Sequence, residues 1–500
     1  METVAKFLRN VPDSKTENGA DTFSTSLNAN LDLFAMGGAL RSRSESDVKE
    51  LVFKAFMEDP KLAIKNLFRI RDAREGCGER NTFRIALNKL GNEKLFKTSV
   101  LENFLGNTDK LRLIAEYGRW DDLFSLFGTQ YESKVFALIK SQLLEDISEM
   151  NIKGEKAKIS LLGKWLPSIN ASNVETRKLA FKIEKALDLN HKTYRQTLSR
   201  LRDQLNVLER NMSAKDYDAI EYHKVPSMAF LKHMKAFKTH DATKFSSFME
   251  KVAKGEAKVN TGVLFPSDIV HKLTDGDPWN CRSTPSSEVA ELSLLWDNLP
   301  NYLGDAGEQA LVIADTSGSM SGTPIEVALS LAMYYAERNL GPWKDYFISF
   351  SARPTLQHIS GSNLLEKFRN MANTGWDSNT NVELAFKLIL DIAIKNKLTQ
   401  DELPKKLYIV SDMEFDSCCG TNYSNAKELF EAQGYKLPTV VFWNVDARSD
   451  QSPVRFDEQG TMLVSGYSAS VFRNLVGKEE CTPVSLMLEV LNGPRYNDII

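Results

Sequence analysis

Five oxygen-bearing side chains stand where apolar runs hand over to helical ones. Asp315-Thr-Ser317-Gly-Ser319 follows the run Leu311-Val-Ile-Ala. A carboxylate ending a strand, with hydroxyls two and four residues on in a Gly-containing loop, brings three oxygens to the carboxyl edge of a sheet, where open α/β domains bind ligands. Thr380, in Trp376-Asp-Ser-Asn-Thr-Asn381, and Asp412, closing Tyr408-Ile-Val-Ser, put two more oxygens on neighbouring loops. An oxygen-only donor set suits a hard cation, Mg²⁺ or else Mn²⁺ or Ca²⁺, that keeps some of its water. Thr323, Pro324 and Glu326 read as the cap, first position and capping box of the helix that follows.

Those loops need a sheet to hold them. Beyond residue 300, short apolar runs (309–314, 346–350, 355–359, 406–410, 439–444, 462–464) interleave with amphipathic helical stretches. That alternation means βα units on a mostly parallel, doubly wound sheet. From residue 45 to 248 nearly every window carries apolar residues three and four apart, joined by short turns with Gly, Pro or Asn. Successive short helices fit a degenerate helical-repeat (HEAT-like) solenoid, or alternatively an irregular bundle. The expected fold class is therefore α + α/β: an irregular arm over 1–45, a helical-repeat domain over 46–300 with a connector at 255–287, and a doubly wound domain over 301–500.

The 500-residue chain is 42% hydrophobic and 26% charged, which excludes a disordered or fibrous protein. No run reaches about 18 apolar residues, so no spanning helix is expected. Residues 1–10 lack the pattern of a secretory leader, and the five cysteines show no paired CxxC spacing, so a reducing, cytoplasmic setting is expected. Net charge is −3, but residues 151–254 hold 21 Lys+Arg against 11 Asp+Glu. An excess of that size attracts nucleic acid or simply solvates helix faces. Arg71, Arg74 and Arg80 flank Gly76 and Gly78, a combination able to hold a phosphate or to close a tight turn through Arg–Glu pairs. Lys192 and Arg195, then Lys232, Lys235 and Lys238 at three-residue steps, fit a phosphate-tracking surface or a solvated one. No Ser-His-Asp set, Walker loop or dinucleotide fingerprint is present, so an enzyme is not expected.

The Asp-x-Ser-x-Ser, Thr and Asp series resembles the metal-ion-dependent adhesion site (MIDAS) of von Willebrand factor A domains. The resemblance implies that Ser317, Ser319 and Thr380 are hydroxyl ligands and that Asp315 and Asp412 are the carboxylates. It also implies that an acidic side chain from a partner completes the shell. The blocks 71–80, 117–123, 224–230, 257–266, 410–416 and 442–445 resemble a family known as domain of unknown function 2828. That family is similar in layout to the TROVE (Ro-autoantigen-like) proteins, in which a ring of helical repeats closed by an A domain binds small noncoding or misfolded RNA. The resemblance implies a non-catalytic RNA-binding scaffold carrying Mg²⁺. The alternative is an adaptor that recruits an acidic protein through the metal.

Overall fold

The structure, a computed structural model, describes residues 11–93, 98–276, 284–304, 308–349, 354–373, 381–417, 422–478 and 480–500. The chain forms two compact units: Met1–Thr82 together with Thr261–Asp498, and Phe83–Asn260. This division differs from the one expected. The N-terminal residues belong with the sheet, and the supposed connector contains the helix Pro266–Thr274.

In the first unit, a small hairpin pairs β1 (Ser14–Lys15) with β2 (Asp21–Thr22). The described residues then build a six-stranded sheet from β3 (Ala310–Ala314), β4 (Tyr346–Ser349), β5 (Thr355–His358), β6 (Lys406–Ser411), β7 (Thr439–Asn444) and β8 (Thr461–Ser465). Its order is β5-β4-β3-β6-β7-β8, parallel except for the antiparallel edge strand β5. Strands β3, β6, β7 and β8 are buried at every position, as a sheet covered on both faces requires. One face is packed by aromatic rings around Phe472, which lies within 6 Å of Tyr334, Tyr335, Tyr408 and Trp443.

The expected arm is part of this core. Thr16 donates its hydroxyl to the Phe415 carbonyl at 2.6 Å, and Phe23 pairs as an isolated bridge with Ser452. The helix Ala29–Met36 packs on β8, and Gly38 N–H donates to Ser465 Oγ at 3.0 Å. Gly38 sits so close that a Cβ there would lie 2.8 Å from Cys77 Sγ, from Gly466 Cα and from the Ser465 carbonyl. Glycine is the residue that fits such an approach.

The second unit is helical. Asn173 and Asn190 cap the helices Val174–Ala186 and His191–Gln204, and Thr98 and Asn107 cap Ser99–Leu105 and Thr108–Tyr117. Thr108–Tyr117 packs on both Ser99–Leu105 and Glu132–Lys153, and Ser227–His240 packs on Ala242–Ala253. Tyr222, Phe230, Phe237 and Phe245 form the core of that last pair. The helical period expected over 45 to 248 is interrupted at 215–220. Lys215 has φ +58°, and Asp216 Oδ1 accepts from Ala219 N–H, so the segment turns instead.

Candidate functional site

Strands β3 and β6 lie side by side at the centre of the sheet, with β4 on one flank and β7 on the other. The strand order reverses there, the place at which open α/β sheets bind their ligands. Asp315 and Asp412 stand at that place. Asp315 N–H donates to the Val410 carbonyl at 2.9 Å, carrying the β3/β6 ladder one residue further and fixing the side chain. Its carboxylate accepts from Ser317 N–H at 2.9 Å and from the Ser411 hydroxyl at 2.5 Å. Ser317 Oγ and Ser319 Oγ lie 3.0 Å apart. Asp412 Oδ1 accepts from Glu414 N–H at 3.2 Å, whereas Oδ2 is buried without a hydrogen-bond donor. The Arg448 guanidinium, 3.7 Å from Oδ2, is also held by Glu17 at 2.9 Å. Burial, and then the charge of Asp412, pushes the Asp315 carboxyl up to about 7.

Two buried carboxylates with one undonated oxygen, beside two hydroxyls with lone pairs to give, fit a divalent cation. Asp315, Asp412, Ser317 and Ser319 would hold it. Bound there, the cation would supply a Lewis-acidic docking point for one more oxygen ligand. Thr380 lies outside the described residues. Among those described, no group of three or more His, Cys, Asp or Glu side chains offers an alternative centre.

Three features of this edge were not legible beforehand. Ser411, immediately before Asp412, orients the Asp315 carboxylate; a polar residue ending an apolar strand was its signal. Arg448 is remote in sequence and gave none. The third is a correction: the helix Thr323–Arg338 is capped by Gly322, not Thr323. The buried Glu326 closes no capping box, but accepts from His271 Nδ1 at 2.9 Å and Thr274 Oγ1 at 3.0 Å, which ties this helix to Pro266–Thr274.

The arginine cluster divides. Arg71 is 4% exposed, which removes it from any phosphate-binding surface. The loop amides expected to cradle a phosphate are used internally: Cys77 N–H on Arg69 O, Gly76 and Gly78 N–H on Asp72 O, Glu79 N–H on Ile70 O. Arg495 binds Asp72 through two nitrogens, and Glu79 pairs with Arg41. This block closes a turn; only Arg74 and Arg80 are exposed there.

Lys192 and Arg195 are exposed on His191–Gln204, as are Lys232 and Lys235 on Ser227–His240, while Lys238 is half-buried. Lys192, Arg195, Lys232 and Lys235 carry no ion pair among the described residues. The unit that holds them, 83–260, contains 31 Lys+Arg against 22 Asp+Glu, an excess of nine.

A family model described as domain of unknown function (DUF2828) matches residues 16–132 and 173–308. A second, described as domain of unknown function (DUF7788), matches residues 309–487. The uncharacterized protein L728 of Acanthamoeba polyphaga mimivirus is 30% identical over 526 residues, spanning 97% of this chain and 88% of its own. The crystal structure of the Deinococcus radiodurans RO (RSR) protein covers 94% of this chain and 100% of its own, at 12% identity and TM-score 0.49. At that distance the likeness carries no conclusion about what this chain does. Among the described residues, no helix is long and apolar enough to cross a membrane.

Proposed function

The chain belongs to the DUF2828 family, and for it we propose a non-catalytic RNA-binding function, with the helical unit holding the phosphate backbone and the sheet edge holding a divalent metal, Mg²⁺ by its donor set. The observation that carries this reading is the set of exposed cations with no ion pair among the described residues, Lys192, Arg195, Lys232 and Lys235, on a unit with a basic excess of nine. Solvated cations release counterions from a polynucleotide without first breaking ion pairs of their own. Small noncoding or misfolded RNA is the ligand class this reading favours.

Filter binding of the full chain to single-stranded RNA tests it. Lys232→Glu with Lys235→Glu should weaken binding whatever the sequence, while Asp315→Asn should leave it unchanged. Equal affinity in the charge-reversed chain and the parent removes the proposal.

A second reading has its own support. The undonated Asp412 Oδ2 marks an edge where a metal would meet a carboxylate from an acidic protein partner. In that case binding requires Asp315 and is indifferent to Lys232 and Lys235.

A further inference from the structure

Trp296, Trp343 and Trp443 each donate the indole N–H to a protein acceptor: Glu337 and the carbonyls of Glu402 and Gly466. Trp165, half-buried at the end of the short helix Leu162–Trp165, donates to none among the described residues. Its ring is held in place nonetheless. Arg119, fixed by two bonds to Asp121 at 2.9 and 2.7 Å, covers the ring with its guanidinium carbon 4.0 Å from the centroid. Arg119 does not line the adjoining cleft, whereas Trp165 does, so the indole has surface left to offer.

That cleft has a volume of about 730 Å³ and is walled by Lys164, Arg202, Val207 and Arg210. A second cleft of about 470 Å³ shares Arg202 and Arg210 with it and extends past Asn170 to Arg195. The two basic walls are structural. Arg202 donates to the Gly163 and Leu166 carbonyls and to Ser168 Oγ, and Arg210 pairs with Asp203. Lys164 stands over the Trp165 ring, its ammonium 5.7 Å from the centroid, and like Arg195 it carries no ion pair among the described residues. Glu209 on the lining adds an acceptor for a base amino group.

An aromatic ring lining one cleft with Lys164, and Arg195 lining the adjoining cleft, match the repeat of a single strand, in which an unstacked base alternates with phosphates. A duplex keeps its bases inside the stack and presents no ring to the indole. We propose that Trp165 seats one nucleobase of single-stranded RNA, with Lys164 and Arg195 taking the flanking phosphates. The proposal rests on the RNA-binding reading above and assigns it a place.

The test is anisotropy of a short labelled single strand, and of its duplex, on the full chain at about 50 mM salt. Trp165→Ala should weaken the single strand roughly 5- to 150-fold, the span for losing one stacked base. It should leave the salt slope and the duplex affinity unchanged, and Trp165→Phe should restore most of the loss. Arg195→Glu, an exposed change, should reduce the salt slope by about 0.7. Should Trp165→Ala fail to fold, Arg195→Glu decides alone: an unaltered slope overturns the assignment. Parental affinity in folded Trp165→Ala overturns the cleft but leaves RNA binding elsewhere on the unit standing. No single-strand binding by the parent chain overturns both.

Discussion

Two carboxylates at the ends of adjacent strands repel each other in a place that water does not screen. Asp315 bears the consequence: burial first, and then the Asp412 charge, raises it from its ordinary 3.8 to about 7. A carboxyl raised in the fold contributes stability that is fully present below its ordinary value and is lost as pH rises through about 7. The metal-free chain should therefore melt at a lower temperature at about pH 8 than at about pH 5. Asp315→Asn, which keeps the shape and removes the charge, should shrink that difference while abolishing Mg²⁺ binding by calorimetry. In the parent, Mg²⁺ should restore the loss by binding the folded state alone, and its affinity should rise with pH as it displaces the Asp315 proton. Identical pH profiles for parent and variant would count against the paired-carboxylate account. At this scale the sequence was most readable where the motif is local, since Asp315, Ser317 and Ser319 share one loop and Asp412 ends the neighbouring strand. It was least readable where a long-range contact decides the role: nothing around Arg71 distinguishes a buried arginine from an exposed one, and nothing around Arg448 places it beside Asp412.

Elements whose limits are set by their own residues were read closely. The apolar run Thr439–Asn444 has the bounds its pattern implies. Elements whose partners lie hundreds of residues away were not. The segment 11–40 looked like an irregular arm because its contacts with β8 and with the loop after β6 leave no local period. The helix Pro266–Thr274 was lost in a Gly/Pro/Ser-rich stretch, although it is the support for Thr323–Arg338. The seam between the N-terminal segment and the sheet rests on Gly38. Gly38→Ala should cost about 1–3 kcal/mol, the usual range for overpacking, because a backbone atom and a carbonyl stand among its neighbours. Denaturant unfolding measures this. An unchanged midpoint would mean that the N-terminal segment packs less tightly on β8 than its contacts require.

Across the whole molecule, charge is divided as the two proposed functions would require. The helical unit is basic by nine, and residues 301–500 carry 17 Lys+Arg against 25 Asp+Glu. On the proposed reading an RNA ligand would sit on the first and a cation on the second, so the two binding activities should be separable by mutation. The charge division was plain from composition; which cations remain unpaired was not, since ion pairing depends on neighbours brought together only by folding. The most direct measurement of the RNA-binding claim is the affinity of the full chain for single-stranded RNA across a salt series. Backbone tracking by the helical unit predicts a linear fall of log affinity with log salt, at about −0.7 per phosphate contacted. It also predicts a shallower slope for the Lys232→Glu, Lys235→Glu chain and an unchanged line for Asp315→Asn. Absence of binding at about 50 mM salt, or binding that needs Mg²⁺ and Asp315 while ignoring salt, would contradict it.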